Sequence, residues 1–458
     1  MLFQTLVSIV ALFLSLILLV MGNNLLGTVI ALRMELEGYR AGIAGTVLAF
    51  FSIGFVLGSL SGIHVIRRVG HIRAFAVFGA VAGAVALLHS IHISVIGWGA
   101  LRLVLGFCIA GLMLITESWA NTRATTETRG KLLATYMVLF YLAASLGQFL
   151  IGWGDPATHH LFIVAAILIV VSLIPLSLTR SPAPELEAGE RLGILELWRK
   201  SELGVAGALF SAIALSAFAA IGPIFAVRSG LDVGQVAAFM GLAILAAMFL
   251  QWPIGLLSDF VPRRILILVV IGGSIAAGLV AAWLGDQSIL WLYLSVSLFY
   301  GLVACIYPLC LALTHDMLVH HQIVPASATM LFSAGLGSVI GPVLGGFSVT
   351  WLGPPGLFFL TAAALSLLLL LGIRSSLRER DPTVEEQTHC VGVAPVSTTV
   401  ILELDPRQED FEAYQDSHPD PLAAETAADT TAETVETVET AETAVETAVD
   451  PVESDDRK

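Results

Sequence analysis

Twelve apolar runs, each long enough to cross a bilayer as a helix, constrain this chain more than any other feature. A hydrocarbon core of roughly 30 Å needs about 20 apolar helical residues. Runs of that size lie at about 5–32, 41–65, 73–92, 94–118, 131–152 and 160–178, and again at about 203–227, 235–257, 265–284, 289–313, 327–350 and 355–373. We number them spans 1 to 12. In lipid every backbone N–H and C=O must be satisfied within its own segment or by a closed barrel, so runs of this length are helices. The sequence therefore predicts an all-α membrane protein. The first run is too long for a signal-peptide core and has no basic residue before it or small-residue cleavage site after it, so it reads as a retained first helix.

Composition agrees. Of the 458 residues 57% are hydrophobic and 13% charged, against roughly 25% charged in soluble globular chains. The net charge of −14 is unevenly placed. Residues 379–458 carry 22 acidic and 4 basic side chains, which leaves +4 for residues 1–378. The four cysteines, Cys108, Cys305, Cys310 and Cys390, have neither metal-ligand spacing nor a disulfide framework. No catalytic triad, zinc motif or G-x-x-x-x-G-K-[ST] loop occurs, so an enzyme, a cofactor and ATP drive are not expected.

Charge also divides the chain. The stretch 179–202, rich in charge and with two prolines, separates residues 1–178 from 203–378, six spans on each side. With the N-terminus inside, the cytoplasmic side collects fourteen Lys and Arg residues and the outer side only Arg33, Arg40 and Arg228. That asymmetry places both termini in the cytoplasm. Residues 379–458 lack a run that could span or form a core, and from Glu425 they settle into Thr-Ala-Glu and Thr-Val-Glu repeats. Their acidic residues, three or four apart, would share and repel along one helical face, so a disordered acidic cytoplasmic tail is expected.

Several polar residues interrupt the apolar runs. Arg102 lies about 10 Å into span 4 at 1.5 Å per residue, where a central Arg costs about 3 kcal/mol or more. It either faces a wet cavity or a carboxylate, or snorkels along its stem to the surface. Glu117, fifteen residues on, falls within about 60° of the same face and roughly 22 Å farther along. It can act as a proton carrier or as a gate residue paired with Arg67, Arg68, Arg73 or Arg129, and the gate is the reading taken. Asn23 and Asn24 in span 1, Gln148 in span 5, Gln251 in span 8, and Tyr300 and Tyr307 in span 10 are the other candidates for a solute or proton pathway. Each could instead make a helix–helix hydrogen bond worth about 1 kcal/mol. Thr314-His-Asp316 and His320-His321 follow span 10. They are read as solvated loop residues rather than a pH-sensitive gate or a metal site.

One cytoplasmic link carries a recognisable pattern. Gly255-Leu-Leu-Ser-Asp-Phe-Val-Pro-Arg-Arg264 resembles the D-R-x-G-R-R loop signature of the major facilitator superfamily of transporters, with Phe260 and Pro262 at its first Arg and its Gly. Arg67-Arg68-Val-Gly-His-Ile-Arg73 occupies the same place in the first half, about 190 residues earlier, as parallel transporter repeats require. Arg102-Leu-Val-Leu-Gly106 resembles the span-4 Arg-x-x-x-Gly motif of proton-coupled members. Gly-His-Ile-Arg73, Glu-Ser-Trp-Ala-Asn121 and Tyr-Pro-Leu309 resemble the YcaD-like bacterial branch. The resemblance spans residues 1–378. It implies two pseudo-symmetric six-helix halves around a midplane cavity, lined by spans 1, 4, 7 and 10, in a monomer of the bacterial inner membrane. It implies secondary transport of a small solute, proton-coupled, with Arg102 in the coupling. Asp259, Arg263 and Arg264, with Gly255, would form a cytoplasmic latch.

Gly337, Gly341, Pro342, Gly345 and Gly346 in span 11 match the antiporter string G-x-x-x-G-P-x-x-G-G, which would imply efflux. Antiporter families carry that string in span 5, where this chain has only Gly147-Gln-Phe-Leu-Ile-Gly152, so helix packing is the role expected here. A facilitated uniporter is the rival reading within transport. A membrane sensor that signals through the acidic tail is the rival outside it. The partners expected are a small-molecule solute, protons and membrane lipid, without nucleic acid.

Overall fold

The computed structural model describes residues 2–123, 128–178, 192–284, 288–318 and 322–378. The acidic tail, most of the linker between the halves, and His320 and His321 lie outside the described residues. Span 1 is the helix Leu2–Leu36, span 2 Ala41–Val69, span 3 His71–Ile91, span 4 Val95–Arg123 and span 5 Arg129–Phe149. Span 6 is His160–Val171, continued past Ser172 by Leu173–Ser177. A short helix, Ile194–Lys200, precedes span 7, Glu202–Arg228. Spans 8 to 12 are Val233–Ser258, Arg263–Leu284, Ile289–Asp316, Ile323–Leu352 and Gly356–Ser376.

Twelve of these helices are long and apolar enough to cross a membrane. Their outer surface suits lipid: Phe249, Val269, Leu290 and Leu370 are all well exposed. Trp153, Trp283, Trp291 and Trp351 stand exposed where spans 5, 9, 10 and 11 begin or end. All four lie at the face opposite the start of span 1 and the end of span 12, hereafter the distal face, where an amphipathic indole suits the water–lipid boundary.

The helices pack as two copies of one pattern. In the first half span 1 packs on 5 and 6, span 2 on 4, and span 3 on 4 and 6. Adding six to each number gives the main packing pairs of the second half, 7 on 11 and 12, 8 on 10, and 9 on 10 and 12. The halves meet mainly through spans 2 and 11 and through spans 5 and 8, which exchange under the same shift. The turns repeat too. Gly38 after span 1 and Gly230 after span 7, 192 residues apart, adopt φ of 75° and 83°, a region glycine enters without steric cost.

Close helix approach sets where the halves touch. A Cβ on Gly45 of span 2 would overlap the Pro342 carbonyl of span 11, and one on Gly346 would overlap the Ala41 carbonyl. The Gly42 amide donates to Thr350 Oγ1 at 2.9 Å. Arg228, ending span 7, holds Glu35 of span 1 through two bonds of 2.7 and 2.9 Å. Ser145 Oγ donates to the Gly241 carbonyl across spans 5 and 8 at 3.0 Å. All these contacts lie toward the distal face, so the two halves are drawn together there.

Thr314, His315 and Asp316 are not solvated loop residues. They form the last turn of span 10 and are buried. Thr314 Oγ1 meets Ser201 Oγ at 3.0 Å, and His315 Nε2 meets Ser327 Oγ at 2.7 Å. The helix runs past the apolar stretch because neighbouring helices supply partners for each polar group.

Candidate functional site

A cavity of about 280 Å³ lies between the halves. Spans 1, 2, 4 and 5 line it from one side and spans 7, 8, 10 and 11 from the other. The family resemblance implies a lining from spans 1, 4, 7 and 10, and all four contribute. Spans 2, 5, 8 and 11 join because they carry the contact between the halves and so border the gap between them.

Arg102 turns into this cavity instead of snorkelling to the distal surface. It is 6% exposed, and its guanidinium carbon sits 4.5 Å above the centre of the Phe51 ring. Its Nε has no hydrogen-bond partner. Such a cation over an aromatic face is attracted by the ring quadrupole. Span 2 is pressed against span 4 here: a Cβ on Gly106 would overlap the Phe51 carbonyl, and one on Gly54 the Leu103 carbonyl. Small residues thus bring the backbones close enough for the Phe51 ring to lie under the guanidinium.

Asn23, Asn24, Gln148 and Tyr300 also line the cavity. Thr28 Oγ1 donates to Gln148 Oε1 at 2.8 Å, and Asn24 Nδ2 donates to the Val20 carbonyl at 2.9 Å. Both asparagines contribute, although they are neighbours on span 1, because the gap wraps around that helix. Gln251 lies behind the lining. It donates from Nε2 to Tyr141 Oη at 2.7 Å across spans 8 and 5, and Tyr141 itself faces the cavity. Tyr307 is fully buried away from the lining, and its hydroxyl has no partner.

Glu117 is fully buried nearer the end opposite the distal face, where Tyr136 Oη donates to its Oε1 at 2.9 Å. Arg67, Arg68 and Arg73 are exposed at that end. In the second half Arg263 is buried and bonds Asp316, donates from Nε to Ser258 Oγ at 2.9 Å, and stands 3.9 Å from Asp259. Arg264 donates from Nη1 to Ser375 Oγ at 3.0 Å. These contacts join the ends of spans 8, 9, 10 and 12, all in one half. Gly255 has nothing near its Cβ position. Among the described residues no group of three or more His, Cys, Asp or Glu side chains gathers to hold a metal.

The glycines of span 11 face two neighbours. A Cβ on Gly337 or Gly341 would overlap the Leu209 or Ile213 carbonyl of span 7, and one on Gly345 would press on Ala217. Four-residue spacing puts these on one helical face. Gly346 and Pro342 meet span 2, and Pro342 also borders the cavity.

Sequence reasoning missed Phe51 and Tyr141. Tyr141 precedes Gln148 by seven residues, two helical turns, so the two share a face, and that signal was available. Phe51 is an aromatic residue in an apolar run and carries no such mark.

A family model described as Major Facilitator Superfamily matches residues 12–323. The chain is similar to the MFS-type transporter YcaD of Escherichia coli O6:K15:H31 (strain 536 / UPEC), at 28% identity over 370 residues covering 79% of this chain and 94% of that one. It is similar to YcaD of Salmonella newport (strain SL254) at 25% over 374 residues, covering 80% and 95%. Among solved structures the nucleoside transporter NupG superposes with a TM-score of 0.66 at 14% identity, covering 82% of this chain and 100% of NupG. A bacterial homologue of the human lysosomal transporter Spinster, inward-facing and unoccupied, gives 0.61 at 13%, covering 89% and 98%. With that match over most of the membrane body, on a fold of two six-helix halves around a central cavity, this chain belongs to the Major Facilitator Superfamily.

Proposed function

We propose that this member is a secondary transporter that carries a small solute across the bacterial inner membrane by alternating access. The observation that carries this reading is the cavity between the halves, with Arg102 and neutral polar side chains turned into it and the halves drawn together on its distal side. A solute held there is exchanged between faces when the halves rock about it. The inside-positive distribution of Lys and Arg supports a cytoplasmic position for both termini, which makes the distal face periplasmic. We read transport as proton-coupled and take Glu117 as the carrier in place of the gate role read from the sequence: fully buried with Tyr136, it is a carboxylate on the same span as Arg102 that can take up and release a proton as the halves move.

Flux in proteoliposomes under an imposed pH gradient tests the proposal. Solute movement that follows the gradient, and that Glu117→Gln uncouples from it, is the expected result. Flux indifferent to the gradient in either direction indicates a uniporter. Binding without flux indicates a sensor and overturns the transport reading.

A further inference from the structure

The charge inventory of the cavity is unusual for a site of its polarity. Among the described residues that line it, Arg102 alone has a charged side chain; no Asp, Glu, Lys or His is present. Asn23, Asn24, Thr28, Ser52, Gln148 and Ser216 supply neutral polar groups, and the other walls are mostly apolar. Arg102 is nine-tenths buried, rests on Phe51, and has an unpartnered Nε. A buried guanidinium without a counter-ion is strongly unfavourable. Here that penalty is accepted facing the space a solute would enter.

We propose that the cavity binds a small organic monoanion, with its carboxylate on Arg102 and an apolar or aromatic body against Phe51, Phe55, Phe140, Met113 and Phe332. This rests on the reading of the cavity as the solute site. Three features of the site carry it. Arg presents parallel N–H donors in a planar fork that matches a carboxylate. One cation balances one negative charge, so a dianion such as a phosphate monoester leaves a buried negative charge with no partner. Phe51, Phe55, Phe140, Met113 and Phe332 give the remainder of the solute an apolar surround, and the cavity of about 280 Å³ has room for a small organic body beside the guanidinium.

The test uses the purified full-length protein in detergent, titrated with benzoate, hexanoate and indole-3-acetate as carboxylates, benzamide as the neutral isostere and phenyl phosphate as the dianion. At least one carboxylate is expected to bind saturably. For the matched pair, benzoate is expected to bind roughly tenfold to a hundredfold more tightly than benzamide, as a charge-assisted bond replaces a neutral one, and phenyl phosphate no better than benzoate. Arg102→Gln erases the preference for acid over amide. Arg102→Lys keeps the charge without the fork and retains a weaker preference. The wild-type comparison of acid with amide stands even where a variant fails to fold. Equal affinity for acid and amide, tighter binding of phenyl phosphate, or no binding of any of the three carboxylates at millimolar concentration overturns the assignment. Each of those results leaves transport itself intact. Acid-selective binding without flux in proteoliposomes keeps the site and removes the transport reading.

Discussion

Gly45→Ala should act as a wedge in the distal seal. A Cβ at this position stands 3.0 Å from the Pro342 carbonyl carbon, with the oxygen closer still, and 3.2 Å from Gly346 Cα. Carbon atoms prefer about 3.5–4.0 Å from one another, and clearing the nearer oxygen requires spans 2 and 11 to part by about 1 Å or more; the obstacles are backbone that no rotamer change can move. Overpacking of this kind costs about 1–3 kcal/mol. The cost falls only on the state in which the two spans touch. A conformation with the distal side open escapes it, so the balance between the two should shift by about 5- to 150-fold. Spin labels at Arg40 and Leu352, both exposed at the distal ends of spans 2 and 11, report the change by double electron–electron resonance. We expect a longer-distance population to rise at least about fivefold over the parent. Gly272→Ala serves as the control, because nothing lies within 4 Å of its Cβ position. An unchanged distance distribution in a folded Gly45→Ala protein would refute the reasoning that this contact seals the distal face.

Three further outcomes follow from the same geometry. Arg263→Ala leaves the buried Asp316 carboxylate without this partner, a loss of about 3–5 kcal/mol, and should lower the thermal unfolding midpoint in detergent well below that of Arg263→Lys; equal midpoints contradict it. Gln251→Leu removes the bond to Tyr141, worth about 1 kcal/mol, and should weaken solute binding modestly with little effect on expression, as read by the same titration. Glu35→Gln cuts the partly exposed link to Arg228, worth about 0.2–1 kcal/mol. It should raise the distal-open population by no more than about fivefold, with the effect fading at high salt, and an effect insensitive to salt would argue against the pair.

The sequence displays the fold plainly because lipid leaves one solution for a long apolar run, and twelve such runs need no partner to be recognised. Helix ends are less visible. Span 2 runs on to Val69 and span 10 to Asp316, because intrahelical bonds continue after apolar residues stop. At span 10 the buried partners Arg263, Ser201 and Ser327 are far away in sequence. Arg102 was visible as a costly residue, since its price in lipid is a property of the side chain alone. What it faces was not, because Phe51 lies on another span. The same holds for Gln251 with Tyr141 and Thr28 with Gln148, pairs separated by 110 and 120 residues. In span 11 spacing marks Gly337, Gly341 and Gly345 as one face, but nothing in it tells which neighbour, span 7 or span 2, each glycine approaches.

The central claim is that solute crosses only when the distal contact between the halves opens. Gly42 and Thr350 touch directly across that contact, the Gly42 amide donating to Thr350 Oγ1 at 2.9 Å, so Gly42→Cys with Thr350→Cys allows it to be locked and released. Uptake of whichever radiolabelled carboxylate binds most tightly in the titration, measured in excess of protein-free liposomes, should cease on oxidation of this double variant, built without Cys390, and return on reduction. Uptake that continues at the same rate with the bond closed would contradict the account.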